Sequence, residues 1–351
     1  MANVSFSKMG YLTICLVCLL DIRNLTTRIS TSRGVMNVVE DVSFTVQQGE
    51  CFGIVGESGS GKSMTCRSIL GLLSKSGSAT GAAWFEGQDL LTLKSGALEQ
   101  IRGRQIAMIV QDAASALNPV VRIGSQIAEA MVQHGLVSSK AEARQRSLDL
   151  MSKVGIPAAE GRIDDYPHQF SGGMCQRVVI AAALSCSPKL IIADEPTTAL
   201  DVTIQDQILR LLVALQAEFG MSLILVTHDM GVVAQTCQRV AVMYGGELVE
   251  MADTASLFRT PRHPYTMGLL NCVPHLDRDV GTARLRPIPG APPDLMNPPA
   301  GCRFHPRCPL ANDACKSTRP PLREVAAGHF SRCLRQDVLG KDIWNAESAR
   351  A

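Results

Sequence analysis

Aromatic residues are scarce in this 351-residue chain, 4% in all, with 2 Trp and 4 Tyr. So few rings exclude a base-stacking platform or an aromatic sugar cleft as the organising feature. One-sided charge is lacking too. The 34 Lys and Arg against 32 Asp and Glu leave a formal net charge of +2, which gives no footing for a protein that coats a polyanion. No apolar run approaches the ~20 residues of a membrane-spanning helix, so the chain is expected to be soluble or to dock onto something else. The 12 cysteines are too scattered for a disulfide scaffold. What is present is apolar substance, 46% hydrophobic against 19% charged, enough for one large domain and a smaller one.

Lys8 and the apolar residues 11–20 superficially resemble a secretory signal, but no small-residue cleavage pattern follows. Asp21-Ile22-Arg23-Asn24-Leu25 instead opens an alternating strand pattern. Residues 1–18 are therefore expected to be an extension, or the product of a misplaced start codon. Cys15 and Cys18 form a C-x-x-C without βαβ context, which argues against a redox pair. Cys51, Cys66, Cys175, Cys186, Cys237 and Cys272 sit singly among apolar neighbours and read as small buried hydrophobes.

The chemistry begins after the apolar run Cys51-Phe52-Gly53-Ile54-Val55. There the chain reads Gly56-Glu57-Ser58-Gly59-Ser60-Gly61-Lys62-Ser63, and residues 64–73, from Met64 on, read as a helix. G-x-x-x-x-G-K-S between a strand and a helix is a P-loop in the context that the motif requires. Its glycines let backbone N–H groups converge on phosphate oxygens, and the helix start adds positive potential. Lys62 supplies a point charge to the β/γ-phosphates, and the Ser63 hydroxyl is placed to ligate Mg²⁺. Further on, Leu190-Ile191-Ile192-Ala193 runs into Asp194-Glu195-Pro196. That is the pattern of a buried parallel strand delivering acids at its carboxyl end. Asp194 suits the Mg²⁺ shell, and Glu195 suits the polarisation of an attacking water.

Between these two elements lies Phe170-Ser171-Gly172-Gly173-Met174-Cys175-Gln176-Arg177, followed by the helix-like residues 178–184. This block resembles the signature motif of ATP-binding-cassette ATPases, and the other pieces follow that family's order. Gln111, after the strand-like residues 106–110, resembles the Q-loop; Ala199-Leu200-Asp201 resembles the D-loop; His228, after the apolar residues 223–226, resembles the switch histidine. The resemblance runs from about residue 20 to residue 250. It implies an α/β P-loop NTPase fold of the ABC-ATPase type: a RecA-like core, an antiparallel β subdomain and a helical subdomain near 117–184.

In that family two cassettes dimerise head to tail, each ATP lying between one P-loop and the opposite signature. The resemblance thus implies that Ser171, Gly172 and Gly173 meet ATP in trans, that His228 senses the γ-phosphate, and that Gln111 joins Ser63 and Asp194 around Mg²⁺. Three departures stand out. Met174 replaces the usual glutamine, Ala113 stands where peptide-importer members tend to have proline, and the adenine-stacking aromatic is absent from Ser32-Arg33-Gly34-Val35. Arg33 is the expected substitute, covering adenine by a cation–π contact.

Beyond residue 250 the composition shifts to proline. Arg262-His263-Pro264-Tyr265-Thr266 leads to Pro287, Pro289, Pro292, Pro293, Pro298 and Pro299, and then to Gly301-Cys302-Arg303-Phe304-His305-Pro306-Arg307-Cys308-Pro309, with Cys315 and Cys333 beyond. Four thiolates could hold zinc or an iron–sulfur cluster, or remain free thiols; the tight C-x2–4-C pairs common in zinc sites are absent. This region resembles the C-terminal extension of oligopeptide, dipeptide and nickel importer ATPases, which favours a [4Fe–4S] cluster on Cys302, Cys308, Cys315 and Cys333 with a structural role.

The division expected is an ATPase domain over 19–255 and a proline-rich extension over 256–351. The resemblance implies an ATPase subunit of a bacterial peptide importer on the cytoplasmic face of the inner membrane. Its implied partners are a second ATPase in a heterodimer, two permease subunits and a periplasmic solute-binding protein. Nickel or another small solute is the alternative cargo. A non-transport cassette protein acting on nucleic acid or ribosomes is disfavoured, because the chain has one cassette, no sustained heptads and no basic run.

Overall fold

The computed structural model describes residues 18–198, 200–272 and 287–339. Most of the expected N-terminal extension, with Cys15, lies outside the described residues, as does Ala199 of the Ala199-Leu200-Asp201 block. Strand β1 (Cys18–Thr31) pairs antiparallel with β2 (Gly34–Gln47), and β3 (Cys51–Val55) follows. β4 (Gly77–Phe85) and β5 (Gln88–Asp89) complete an antiparallel sheet of order β2-β1-β4-β5.

Among the described residues, a second sheet of eight strands carries the motifs. β6 (Ile106–Ile109), β7 (Leu190–Asp194) and β8 (Ser222–Thr227) lie parallel to β3 in the order β3-β8-β7-β6. On the other side come β9 (Arg239–Tyr244), parallel to β3, and β10 (Glu247–Asp253), antiparallel to β9. β11 (Arg323–Ala326) and β12 (His329–Ser331) extend that edge, giving β11-β12-β10-β9-β3. The cysteine-bearing tail thus adds two strands to the main sheet.

Parallel strands covered on both faces should be apolar throughout, and β3, β7 and β8 are buried at every position. Alternation along them feeds two cores, because successive side chains point to opposite faces. Phe52, Ile54, Ile192 and Ile224 pack with the antiparallel sheet, whereas Val55, Ile191, Leu223 and Leu225 pack with the helices.

The helix expected over 64–73 is shorter and earlier, at Lys62–Ile69. Gly71, at φ 61°, ends it, with the Leu72 amide donating to the Arg67 carbonyl at 2.8 Å, a left-handed stop that glycine adopts without strain. Between β6 and β7 stand the helices Ile123–Gln133, Lys140–Lys153 and Gly172–Leu184. The second of these matches the spacing read over 141–154; Ser139 caps it by accepting from the Glu142 amide. Five of the singly placed cysteines, Cys51, Cys66, Cys175, Cys186 and Cys237, are buried as expected. Cys272 is exposed instead, because the helix Pro264–Asn271 ends there at the protein surface.

That last helix opens on a buried histidine. His263 Nδ1 accepts from the Tyr265 amide at 3.1 Å, and burial pushes its pKa down to about 3 from 6.5. The unfolded chain takes up a proton near pH 6.5 while the folded chain refuses it until about pH 3. Stability present above pH 6.5 is therefore lost as pH falls, by ~2–3 kcal/mol between pH 6.5 and 4.5. His263→Asn keeps an N-cap acceptor and is expected to flatten the decline of Tm over that interval; an unaltered slope would contradict this assignment.

Candidate functional site

The parallel register brings the scattered motifs to one edge. Val55 stands opposite Thr227, Asp194 opposite Val226, and Ile109 opposite Ala193. All four strands therefore end together, and the residues just beyond them (the P-loop, Gln111, Glu195 and His228) emerge side by side. Ligands of open α/β sheets bind at this carboxyl edge. A cavity of about 750 Å³ lies here, lined by Gly56 to Met64 together with Gln111, Glu195 and His228, which is a size suited to a nucleotide.

The P-loop is held in an anion-receiving shape. Gly61 sits at φ 103°, where a Cβ would come within 2.7 Å of the Val38 carbonyl. No side chain caps the helix Lys62–Ile69, so its first-turn amides are available to an anion. Lys62 Nζ is folded into the loop, donating to the Gly56 carbonyl at 2.8 Å and the Glu57 carbonyl at 3.0 Å. Burial lowers the Lys62 pKa, and the acids Glu195 and Asp194 oppose that.

Behind the loop, Ser63 Oγ donates to Asp194 Oδ1 at 2.7 Å. Burial raises the Asp194 pKa, with the Ser63 bond working against it. A hydroxyl and a buried carboxyl side by side, all-oxygen donors in a site that disfavours lone negative charge, fit a hard divalent cation such as Mg²⁺. Beside them, Glu195 is the hub of the site. Gln111 Nε2 donates to Glu195 Oε2 at 3.1 Å and Thr198 Oγ1 donates to the same oxygen at 2.9 Å. His228 Nδ1 lies 3.7 Å from Oε2, and Lys62 Nζ lies 3.9 Å from Oε1. Glu195 itself takes a left-handed φ of 46°, and its amide donates to the Val226 carbonyl at 3.0 Å. A carboxylate so fixed beside a P-loop can orient and polarise a water.

Ser171, Gly172 and Gly173 do not line this cavity. They start the helix Gly172–Leu184, where Ser171 Oγ accepts from the Met174 amide at 3.3 Å. Asp201 caps the helix Val202–Phe219 by accepting from the Ile204 amide at 3.0 Å. A Cβ on Gly173 would meet Ile204 Cγ2 at 2.9 Å, so the signature block packs against the helix that Asp201 opens. Arg33 is also absent from the lining. It is exposed in the β1–β2 turn, its amide donating to Thr31 Oγ1 at 3.2 Å.

Sequence reasoning missed the tail's part in this site. The Arg307 guanidinium makes a two-pronged bond to the Glu57 carboxylate, at 2.7 and 3.0 Å, and the Glu57 amide donates to Tyr265 Oη at 2.8 Å. Arg307 also lies over the ring of Tyr244, which packs with Tyr265 and Phe304. Arg303 bonds the Gly245 carbonyl and Glu40, while the next amide, Gly246, donates to the Ser60 carbonyl at 2.9 Å. A cluster drawn from the few aromatics thus backs the P-loop. The only signal in the sequence was their nearness to the proline-rich run.

The four tail cysteines, far apart in sequence, face one another. Cys302, Cys308, Cys315 and Cys333 line one small cavity together with His263, Phe304 and His305. Among the described residues, no three His, Cys, Asp or Glu side chains converge closely enough to hold a metal ion. Burial pushes the thiols of Cys302 and Cys308 up to about 12 and that of Cys333 up to about 11, helped by the neighbouring cysteines.

Comparison with known proteins agrees with the motif order. Residues 39–198 match the family model for the ABC transporter, and residues 249–315 match that for the oligopeptide/dipeptide transporter C-terminal region. A probable peptide ABC transporter ATP-binding protein of Sinorhizobium fredii is 50% identical over 92% of this chain and 96% of its own length. The oligopeptide transport ATP-binding protein of Escherichia coli is 47% identical over 90% of this chain and 93% of its own. Among solved structures, a dimeric post-hydrolysis state of an ATP-binding cassette with ADP and Pi is similar at a TM-score of 0.61. It is 28% identical and covers 67% of this chain and 98% of that one.

Proposed function

Because this chain belongs to the ABC transporter ATPases that carry the oligopeptide/dipeptide transporter C-terminal region, we propose that it hydrolyses ATP to drive import of di- or oligopeptides. The observation that carries the chemistry is Glu195, bonded by Gln111 and Thr198 and flanked by Lys62 and His228 at the mouth of the P-loop. Lys62 and the amides of Gly59, Gly61 and Ser63 receive the β- and γ-phosphates. Ser63, Asp194 and Gln111 are the residues that would hold Mg²⁺, which supplies charge neutralisation to those phosphates. Glu195 accepts the proton of the attacking water, and His228 orients the γ-phosphate.

The signature residues Ser171, Gly172 and Gly173 lie outside this chain's own cavity, which supports their serving the ATP of a second ATPase subunit. A P-loop half and a signature half on one chain imply a share in two ATP sites of a heterodimer. Its further partners on this reading are two permeases and an external binding protein, with the ATPase peripheral on the cytoplasmic face. No helix among the described residues is long and apolar enough to cross a membrane. Residues 19–255 form the ATPase unit on this reading, 117–184 its helical part and 256–351 the extension.

Cargo is tested in cells. Deleting the gene for this chain is expected to abolish uptake of labelled di- or oligopeptide, and restoring the intact chain should bring it back. Loss of nickel uptake with peptide uptake intact would overturn the peptide reading and leave the ATPase reading standing.

A further inference from the structure

The cavity at the carboxyl edge has a second wall that the nucleotide motifs do not supply. Beside the polar P-loop, its apolar lining consists of Met36, Val38, Met64, Leu269 and Leu295. Among the described residues no aromatic ring takes part, and Arg33 is not in the lining. Two of the five, Leu269 and Leu295, come from the C-terminal region. Leu269 sits in the helix Pro264–Asn271. Leu295 is half-buried, packed against the same core as Met36 and Met64.

The position of Leu295 is built rather than incidental. Asp294 accepts from the Met296 amide at 2.9 Å, and its carbonyl accepts from the Asn297 amide at 3.2 Å, a turn that presents Leu295 to the cavity. Met296 reaches the β1–β2 turn, where a Cβ on Gly34 would touch its Cε at 3.4 Å. A few residues on, Arg307 grips Glu57 inside the P-loop itself, and on its Nε side bonds the Pro289 carbonyl at 2.8 Å. The same tail therefore holds the phosphate loop and lines the space next to it.

We propose that the C-terminal region forms the base-binding wall of the nucleotide site, with Leu295 and Leu269 packing on the purine opposite Met36 and Val38. Once the triphosphate is fixed by Lys62 and the loop amides, the flat apolar faces of the base must lie against what remains of the lining, and that remainder is aliphatic. Leucine and methionine side chains gain from covering such a face by removing apolar area from water. An ATPase core that borrows this wall from its tail cannot bind nucleotide fully until the tail is docked. The inference rests on the ATP-site reading, and the ligand class is the purine moiety of that same ATP.

The test compares a ligand with a base and one without. Binding of ATP and of inorganic tripolyphosphate, each with Mg²⁺, is measured calorimetrically on the full chain as wild type, Leu295→Ala and Lys62→Ala. Leu295→Ala is expected to weaken ATP about tenfold and leave tripolyphosphate unchanged, whereas Lys62→Ala weakens both. If Leu295→Ala binds ATP as tightly as wild type, or loses ATP and tripolyphosphate alike, the base-wall assignment is overturned while the ATP site stands. A wild-type chain that binds no ATP overturns both readings. Leu269→Ala provides a second variant on a different element, for which the same selective loss is expected.

Discussion

Glu195→Gln is expected to cut steady-state ATP hydrolysis by the assembled transporter about 10²–10⁴-fold while leaving ATP bound. The substitution keeps the volume and the acceptor oxygen that Gln111 Nε2 and Thr198 Oγ1 address at 3.1 and 2.9 Å. It removes the negative charge that can take a proton from water. It also removes the charge facing Lys62 Nζ at 3.9 Å and His228 Nδ1 at 3.7 Å, which lowers repulsion toward an incoming triphosphate. ATP held without turnover should accumulate the closed pair of ATPase subunits, visible as a nucleotide-dependent shift in size-exclusion chromatography. Unchanged turnover would remove Glu195 from the proton-accepting role. Loss of ATP binding together with turnover would show that the carboxylate holds the site together instead.

The parts of this site legible in the sequence are those where one strand hands directly to one motif. β3 into the P-loop, β7 into Asp194-Glu195 and β8 into His228 each pair an apolar run with a polar residue at its carboxyl end. Because parallel strands in register end at one edge, placing the strands placed the residues. Gln111 was reached in the same way, two residues past β6. Even the signature block reads correctly as a helix start, since Ser171 is a ready N-cap for Gly172–Leu184.

What stayed hidden depends on contacts between residues far apart in the chain. Nothing local says that Arg307 will meet Glu57, 250 positions away, or that Leu295 will share a cavity with Met36. No aromatic stands in Ser32-Arg33-Gly34-Val35 ahead of β3. Arg33 lies exposed in the β1–β2 turn, while Leu269 and Leu295 of the C-terminal region line the cavity. Nor does the spacing of Cys302, Cys308, Cys315 and Cys333 say that all four will line one cavity. The tail is secured by strands β11 and β12 at the sheet edge and by Phe304 in the main core.

Lys62→Ala should have the broadest effect of any single change, weakening MgATP about a hundredfold and abolishing transport-linked hydrolysis. Lys62 is the one cation inside the P-loop, its side chain only 4% exposed, where a charge-assisted bond to phosphate is stronger than at the surface. Its ammonium already bridges the Gly56 and Glu57 carbonyls at 2.8 and 3.0 Å, so removing it also leaves two inward-facing acceptors without their donor. The loss differs in kind from that of Glu195→Gln, in which binding survives and turnover fails. Fluorescent ATP-analogue titration on the isolated chain separates the two. Lys62→Arg keeps the charge but carries a planar fork too large for the loop, and it should rescue binding only partly. A Lys62→Ala chain that bound ATP normally would place the triphosphate somewhere other than this loop, and Glu195, His228 and Ser63 would lose their assigned roles with it.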